Sequence, residues 1–144
     1  MPPSGQSLAI FLPVLLVVAV TFAGFVKMAI ERAKAVKQGQ DPEFYKVYLG
    51  DPEPQKTRAA VRHWDNLFEL PTVFYAGCLT AFVLDAVSAT VLVCAWIFAV
   101  GRTVQSAVHL TYNHPNHRGL AFTLSFLGLM VMWGTLAVTI LGKV

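Results

Sequence analysis

Four apolar runs govern what this chain can fold into: Leu8–Ile30, Leu67–Leu84, Val87–Thr111 and Leu120–Leu141. A bilayer hydrocarbon core about 30 Å thick is crossed by roughly 20 mostly apolar helical residues, and each run has that character. With 56% hydrophobic residues, 13% charged residues and a mean hydropathy of +0.58, the 144-residue chain is too apolar for a soluble domain of its length. The expectation is an all-α, integral membrane four-helix bundle making one membrane domain over residues 1–144, with little chain outside the spans.

The first run does not have the form of a cleaved signal. "MPPSGQS" carries no Lys or Arg, and no small-x-small site precedes the polar segment that follows, so the run is retained as a span. With the N-terminus outside, Arg32, Lys34, Lys37, Lys46, Lys56, Arg58, Arg62 and Arg118 fall on one side of the membrane and Lys143 alone on the other. The excess of cations on cytoplasmic loops then places both termini in the periplasm of a bacterial inner membrane, with residues 31–65 and 112–119 as cytoplasmic loops. This asymmetry accounts for the sequence pI near 9.0, and no stripe suited to nucleic acid is present.

The long loop is punctuated by "QGQDPEFY" and "GDPEPQKT", rich in Gly, Pro and Asp, with room for a short surface helix at Phe44–Leu49. Asp85–Ser88 is so short that the second and third spans must be antiparallel neighbours. "YNHPNHRG" joins the third and fourth, Pro115 ending one helix and Gly119 preceding the next. Pro13 and Pro71 lie in or near apolar runs, where neighbours must satisfy any freed carbonyls. Small residues on the third span permit close helix contact. Cys78 and Cys94 lie inside spans without CxxC spacing and are expected to act as small buried hydrophobes.

Ionisable groups inside the spans carry the chemistry. Arg62, Asn66 and Glu69 are spaced i, i+4, i+7, and Arg102, Gln105 and His109 i, i+3, i+7, so each set shares one helix stripe. Arg102 lies roughly two to three turns from the cytoplasmic end at about 1.5 Å per residue. A charge at such depth costs about 2.5 to 3.5 kcal/mol on insertion scales, so Arg102 and Glu69 are expected to face inward and pair with each other. Two alternatives follow: the polar groups are interhelical glue, or they line a pocket open to the cytoplasm, with Arg62 and Arg118 at its rim, suited to an anionic ligand.

In order and placement, R-x3-N-x2-E (Arg62, Asn66, Glu69) at the second span and R-x6-H-x8-R (Arg102, His109, Arg118) at the end of the third resemble the MAPEG family, membrane-associated proteins in eicosanoid and glutathione metabolism. The resemblance covers nearly the whole chain. It implies a homotrimer with glutathione as bound thiol co-substrate, held between neighbouring subunits near the cytoplasmic face. By position, Asn66 and Glu69 match the family's glutathione-contacting pair, Arg62 a basic residue one turn earlier, Lys27 an arginine of the first helix, and Arg118 the arginine near the glutathione sulfur. A fixed cation beside a thiol of pKa about 8.5 favours the nucleophilic thiolate.

The chain also departs from the pattern. His109 stands where the family has a tyrosine, Gln105 where it has a histidine, Gly119 where it has a serine, and Asp65 where it has a basic residue. A carboxylate at Asp65 would oppose a tripeptide of net charge about −1. His109, His114 and His117 do not read as a metal site, because Pro115 breaks their register and neither carboxylate nor cysteine is close by in sequence. His63, Trp64 and Tyr112 are expected at the membrane interface.

The leading expectation is a protein that binds glutathione through Lys27, Arg62, Asn66, Glu69, Arg102 and Gln105, and conjugates it to, or reduces, a lipophilic small molecule arriving from the membrane lipids. Arg118 and His109 are its candidate catalytic groups. The alternatives are a non-enzymatic site for a lipid headgroup, small anion or partner helix, and a purely structural subunit.

Overall fold

A computed structural model of the chain describes residues 5–48, 50 and 52–144. These form seven helices in the order α1 (Gly5–Leu8), α2 (Phe11–Lys37), α3 (Phe44–Val47), α4 (Gln55–Asn66), α5 (Leu70–Val83), α6 (Ala89–Leu110) and α7 (Pro115–Leu141), with no strand among the described residues. Four helical stretches, Phe11–Lys37, Gln55–Val83, Ala89–Leu110 and Pro115–Leu141, are long and apolar enough to cross a membrane. The all-α, four-span architecture read from the sequence is the observed one.

Helix extents differ from the apolar runs. Lys34 and Lys37 sit in the last turn of α2, where cations complement the helix dipole, and α2 continues seven residues past Ile30. The second stretch begins at Gln55, twelve residues before its apolar part. The segment expected as a loop over 31–65 is thereby reduced to 38–54. Hydropathy marks the portion of a helix that needs an apolar surrounding, and a helix can run on beyond it into polar sequence. The short helix expected at Phe44–Leu49 is α3, although Leu49 lies outside the described residues.

The second stretch is broken where α4 meets α5. Pro71, in the first turn of α5, has no N–H to give, and its ring would crowd the carbonyl of Leu67 four residues earlier. The chain tightens instead, Leu67 N donating to Trp64 O and Phe68 N to Asp65 O, both at 3.0 Å. Glu69, at φ −81° and ψ −90°, starts the new helix.

The core is built from all four stretches: Val17 of α2, Phe74 and Cys78 of α5, Cys94, Phe98 and Ala99 of α6, and Met132 and Leu136 of α7. Phe74 stacks on Phe98 with ring centroids 4.3 Å apart. Both cysteines are free and buried. The most intimate helix pair is α6 with α7, brought close by glycine. A methyl at Gly101 would collide with Ser125 Oγ and lie 3.2 Å from Ala121 O, so only hydrogen permits this approach. That contact fixes the end of α6, bearing His109, against the start of α7, bearing Arg118.

Candidate functional site

The break after Asn66 has a polar consequence. In an unbroken helix the Asn66 carbonyl would accept from the amide four residues on; here Arg102 Nη2 donates to it at 2.5 Å. Arg102 Nη1 donates to Gln105 Oε1 at 2.6 Å one turn along α6. Arg102 is 1% exposed, among the most buried large side chains of the described residues. A planar fork of donors is suited to holding two acceptors on different helices, and no backbone carbonyl can be left unpaired among apolar helices without cost.

This geometry corrects the expectation for Glu69. Four ion pairs occur among the described residues, all within residues 27–53, and none joins Glu69 to Arg102. Glu69 is exposed, because the break takes it off the stripe of Arg62 and Asn66. The i, i+4, i+7 spacing holds only while one helix runs through all three positions.

Five of the expected residues converge. Arg62 and Asn66 of α4, Gln105 and His109 of α6, and Arg118 of α7 line one cleft of about 310 Å³, closed by Gly119 and Phe122. That volume is at the small end of the roughly 300 to 1,000 Å³ of small-molecule sites. Asn66 Nδ2 donates to Arg62 O at 2.7 Å, and Arg62 has no ion-pair partner among the described residues. Arg102 lies behind this wall as the group that holds Asn66 and Gln105 in position.

Arg118 occupies the first turn of α7, where the helix dipole disfavours a cation. It is retained by Asn113 Oδ1, 2.9 Å from its Nη1, and lies 3.4 Å from His109 Nε2. Asn113, at φ 48°, is one of three non-glycine described residues in the left-handed region, and it lies in the turn three residues past the end of α6. The sequence offered one signal for it, an asparagine after a helix end and five residues before Arg118. Two guanidinium groups, with no carboxylate among the lining residues, suit the cleft to an anion.

His63 belongs to the site's support. Its ring meets that of His109 edge to face at 5.0 Å, and both histidines are buried. His63 Nε2, His109 Nδ1 and Arg102 Nε have no hydrogen-bond partner, so the polar interior holds unused capacity. Gly24 of α2 faces this part of α4: a methyl there would displace the Leu67 side chain, 2.6 Å away, and would touch the His63 ring at 3.6 Å.

Lys27 is placed elsewhere. Its Nζ donates to Glu31 Oε1 at 2.8 Å on its own helix and lines a different cleft. Asp65 is exposed and is not among the residues lining the 310 Å³ cleft, so its carboxylate does not oppose an anion there as expected. His114 and His117 pack ring to ring at 4.7 Å in the exposed turn, with Tyr112 Oη 3.0 Å from His117 Nδ1. Among the described residues no cluster of His, Cys, Asp and Glu could hold a metal ion.

Compared with known proteins, the chain matches the family model of the MAPEG family over residues 10–138. No curated protein matches it.

Proposed function

The chain belongs to the MAPEG family, a family of membrane proteins that includes glutathione-dependent enzymes, and from that premise we propose that its cationic cleft binds glutathione. The bound thiolate attacks a lipophilic electrophile that reaches it from the bilayer. The observation that carries this reading is the convergence of Arg62, Asn66, Gln105, His109 and Arg118 on one cleft without a carboxylate.

In this mechanism Arg62 and Asn66 hold carboxylate and amide groups of the tripeptide, and Arg118 lies beside the sulfur. A guanidinium there lowers the energy of S⁻ relative to S–H, and the thiol proton passes to water. The thiolate lone pair forms the new C–S bond while the leaving group departs with its electron pair, as halide from an aryl halide. Gln105, fixed by Arg102, contributes an amide N–H₂ to the cleft. Lys27, tied to Glu31, takes no part in the cleft of its own subunit.

The proposed assembly is a homotrimer in which a neighbouring subunit covers the open side of the cleft and gives the exposed Glu69 a partner. The charge bias of the loops supports an inner-membrane orientation with both termini periplasmic.

One observation favours a second, non-enzymatic reading, in which the cleft holds an anion without turnover. Gly119 lines the cleft beside Arg118 without contributing a side chain, and nothing lies within 4 Å of where its Cβ would be. Catalytic relatives place a serine there.

Calorimetric titration of the detergent-solubilised protein with glutathione tests both. Saturable binding that is lost in Arg118→Ala and Asn66→Ala, with conjugation of a chlorodinitrobenzene, is the expected result. Binding without conjugation selects the non-enzymatic reading, and no saturation at millimolar glutathione overturns the glutathione assignment.

A further inference from the structure

Arg118 is held without being neutralised. Its Nη1 donates to Asn113 Oδ1 at 2.9 Å, and the same nitrogen lies 3.4 Å from His109 Nε2. The first partner is an amide oxygen and the second a ring nitrogen, and neither carries a negative charge. A carboxylate is the stronger partner for a guanidinium and can pair with it through two bonds at once. The ion pairs among the described residues leave Arg118 out, and no carboxylate lines the cleft. The charge of Arg118 therefore stays available to a ligand. Both contacts fall on Nη1, so Nη2 and Nε have no hydrogen-bond partner among the described residues.

Asn113 meets two demands at once. Its backbone is left-handed, at φ 48°, and its amide donates to Val108 O at 2.8 Å, which closes the end of α6. Glycine, asparagine and aspartate take this conformation at least cost. Glycine would give Arg118 no acceptor. Aspartate would give it one and cancel its charge. Asparagine alone of the three holds the guanidinium and leaves the charge intact. The side chain is half-buried, five residues before Arg118, so the turn carries it back onto the first turn of α7.

We propose that Asn113 is a positioning residue of the cleft, which fixes Arg118 beside the glutathione sulfur as an uncompensated cation. This role rests on the glutathione reading of the cleft. A cation that is held in place and has no counter-charge favours S⁻ over S–H more than one that is mobile or paired, and the thiol proton leaves to water. The other charged and titratable groups about Arg118 are His109 of α6, Arg62 of α4 with Arg102 behind it, and Tyr112, His114 and His117 of the turn and α7. Tyr112 and His117 contact each other, with Tyr112 Oη 3.0 Å from His117 Nδ1. None of these groups is a carboxylate, so Asn113→Asp adds one to a set that has none.

The test follows the ultraviolet thiolate absorbance of glutathione bound to the full-length protein in detergent as pH is varied, for the wild type, Asn113→Asp and Asn113→Gly. Thiolate absorbance needs no turnover, so it reads the cleft under the enzymatic and the non-enzymatic reading alike. Both substitutions suit a left-handed backbone, so helical circular dichroism and melting temperature should match the wild type. In the wild type the bound thiol should titrate about one to two units below its ordinary value of about 8.5. Asn113→Asp should raise that value by about one unit, a tenfold weaker acid. Asn113→Gly should raise it by less and should weaken glutathione binding by about threefold to tenfold. Equal titration in all three proteins is what an asparagine serving only the turn would give, and it overturns the proposal while leaving glutathione binding in place. A rise in Asn113→Asp no larger than in Asn113→Gly also overturns it, because cancelled charge is then not the cause. Absence of saturable glutathione binding by the wild type overturns the glutathione reading, and this role with it.

Discussion

Replacing Arg102 by lysine should destabilise the protein at least as much as replacing it by methionine, although lysine keeps the charge. The guanidinium reaches Asn66 O at 2.5 Å and Gln105 Oε1 at 2.6 Å through two different nitrogens. Hydrogen bonds from a charged donor contribute about 1.5 to 3 kcal/mol each, so the pair represents about 3 to 6 kcal/mol before the cost of burying the cation is subtracted. Methionine loses both bonds and removes the desolvation cost of several kcal/mol, for a net loss of about 1 to 3 kcal/mol. A lysine ammonium retains most of that cost and cannot form the fork, so it loses one bond outright, about 1.5 to 3 kcal/mol, with no desolvation relief to offset it. The assay is reversible unfolding of each variant in mixed micelles by titration with an anionic detergent, followed by helical circular dichroism. Both variants should also bind glutathione less tightly, because Asn66 and Gln105 lose their anchor. A lysine variant within about 0.5 kcal/mol of wild type, with unchanged ligand affinity, would refute the argument that Arg102 acts as a fork between α4 and α6.

Two other outcomes are expected. Glu69→Gln should leave the stability of an isolated subunit nearly unchanged, and a double-mutant cycle with Arg102→Gln should give a coupling below about 0.5 kcal/mol; a larger value would restore the direct pair that the break at Pro71 removes. Tyr45 in the 38–54 segment has its phenol raised above the usual range, first by burial and then by the nearby Glu53 carboxylate. Its contribution to stability is therefore complete below the ordinary tyrosine value of about 10 and is lost as pH rises toward the higher folded value. Melting temperature followed from about pH 9 to about pH 11 should fall less steeply in Tyr45→Phe than in wild type, and identical slopes would count against this account.

The candidate site was legible in part. Arg62, Asn66, Gln105, His109 and Arg118 were singled out by spacing and depth, and they do line one cleft. Family position alone carries Lys27 to a site between subunits; within one subunit it lines another cleft, because a lysine four residues before a buried glutamate on one helix face is drawn to that glutamate first. Asn113 gave little signal, since holding Arg118 depends on a left-handed backbone turn that no periodicity announces.

The sequence by itself determined the solvent and the class of fold. Four apolar runs require a bilayer, a bilayer requires every backbone group to be paired inside its own element, and only helices of this length meet that demand with so few residues. It also determined that charges within those runs must turn inward. What only the tertiary structure decided is which inward groups meet. One proline, Pro71, ends the regular 3.6-residue repeat after Asn66, removes Glu69 from the stripe, and frees a carbonyl that Arg102 then takes. The close passage of α6 and α7 at Gly101 sets His109 beside Arg118. Spacing along a sequence fixes neighbours only while a helix stays unbroken; across a break, or between helices, neighbours are fixed by which donors and acceptors remain unpaired when the chain packs.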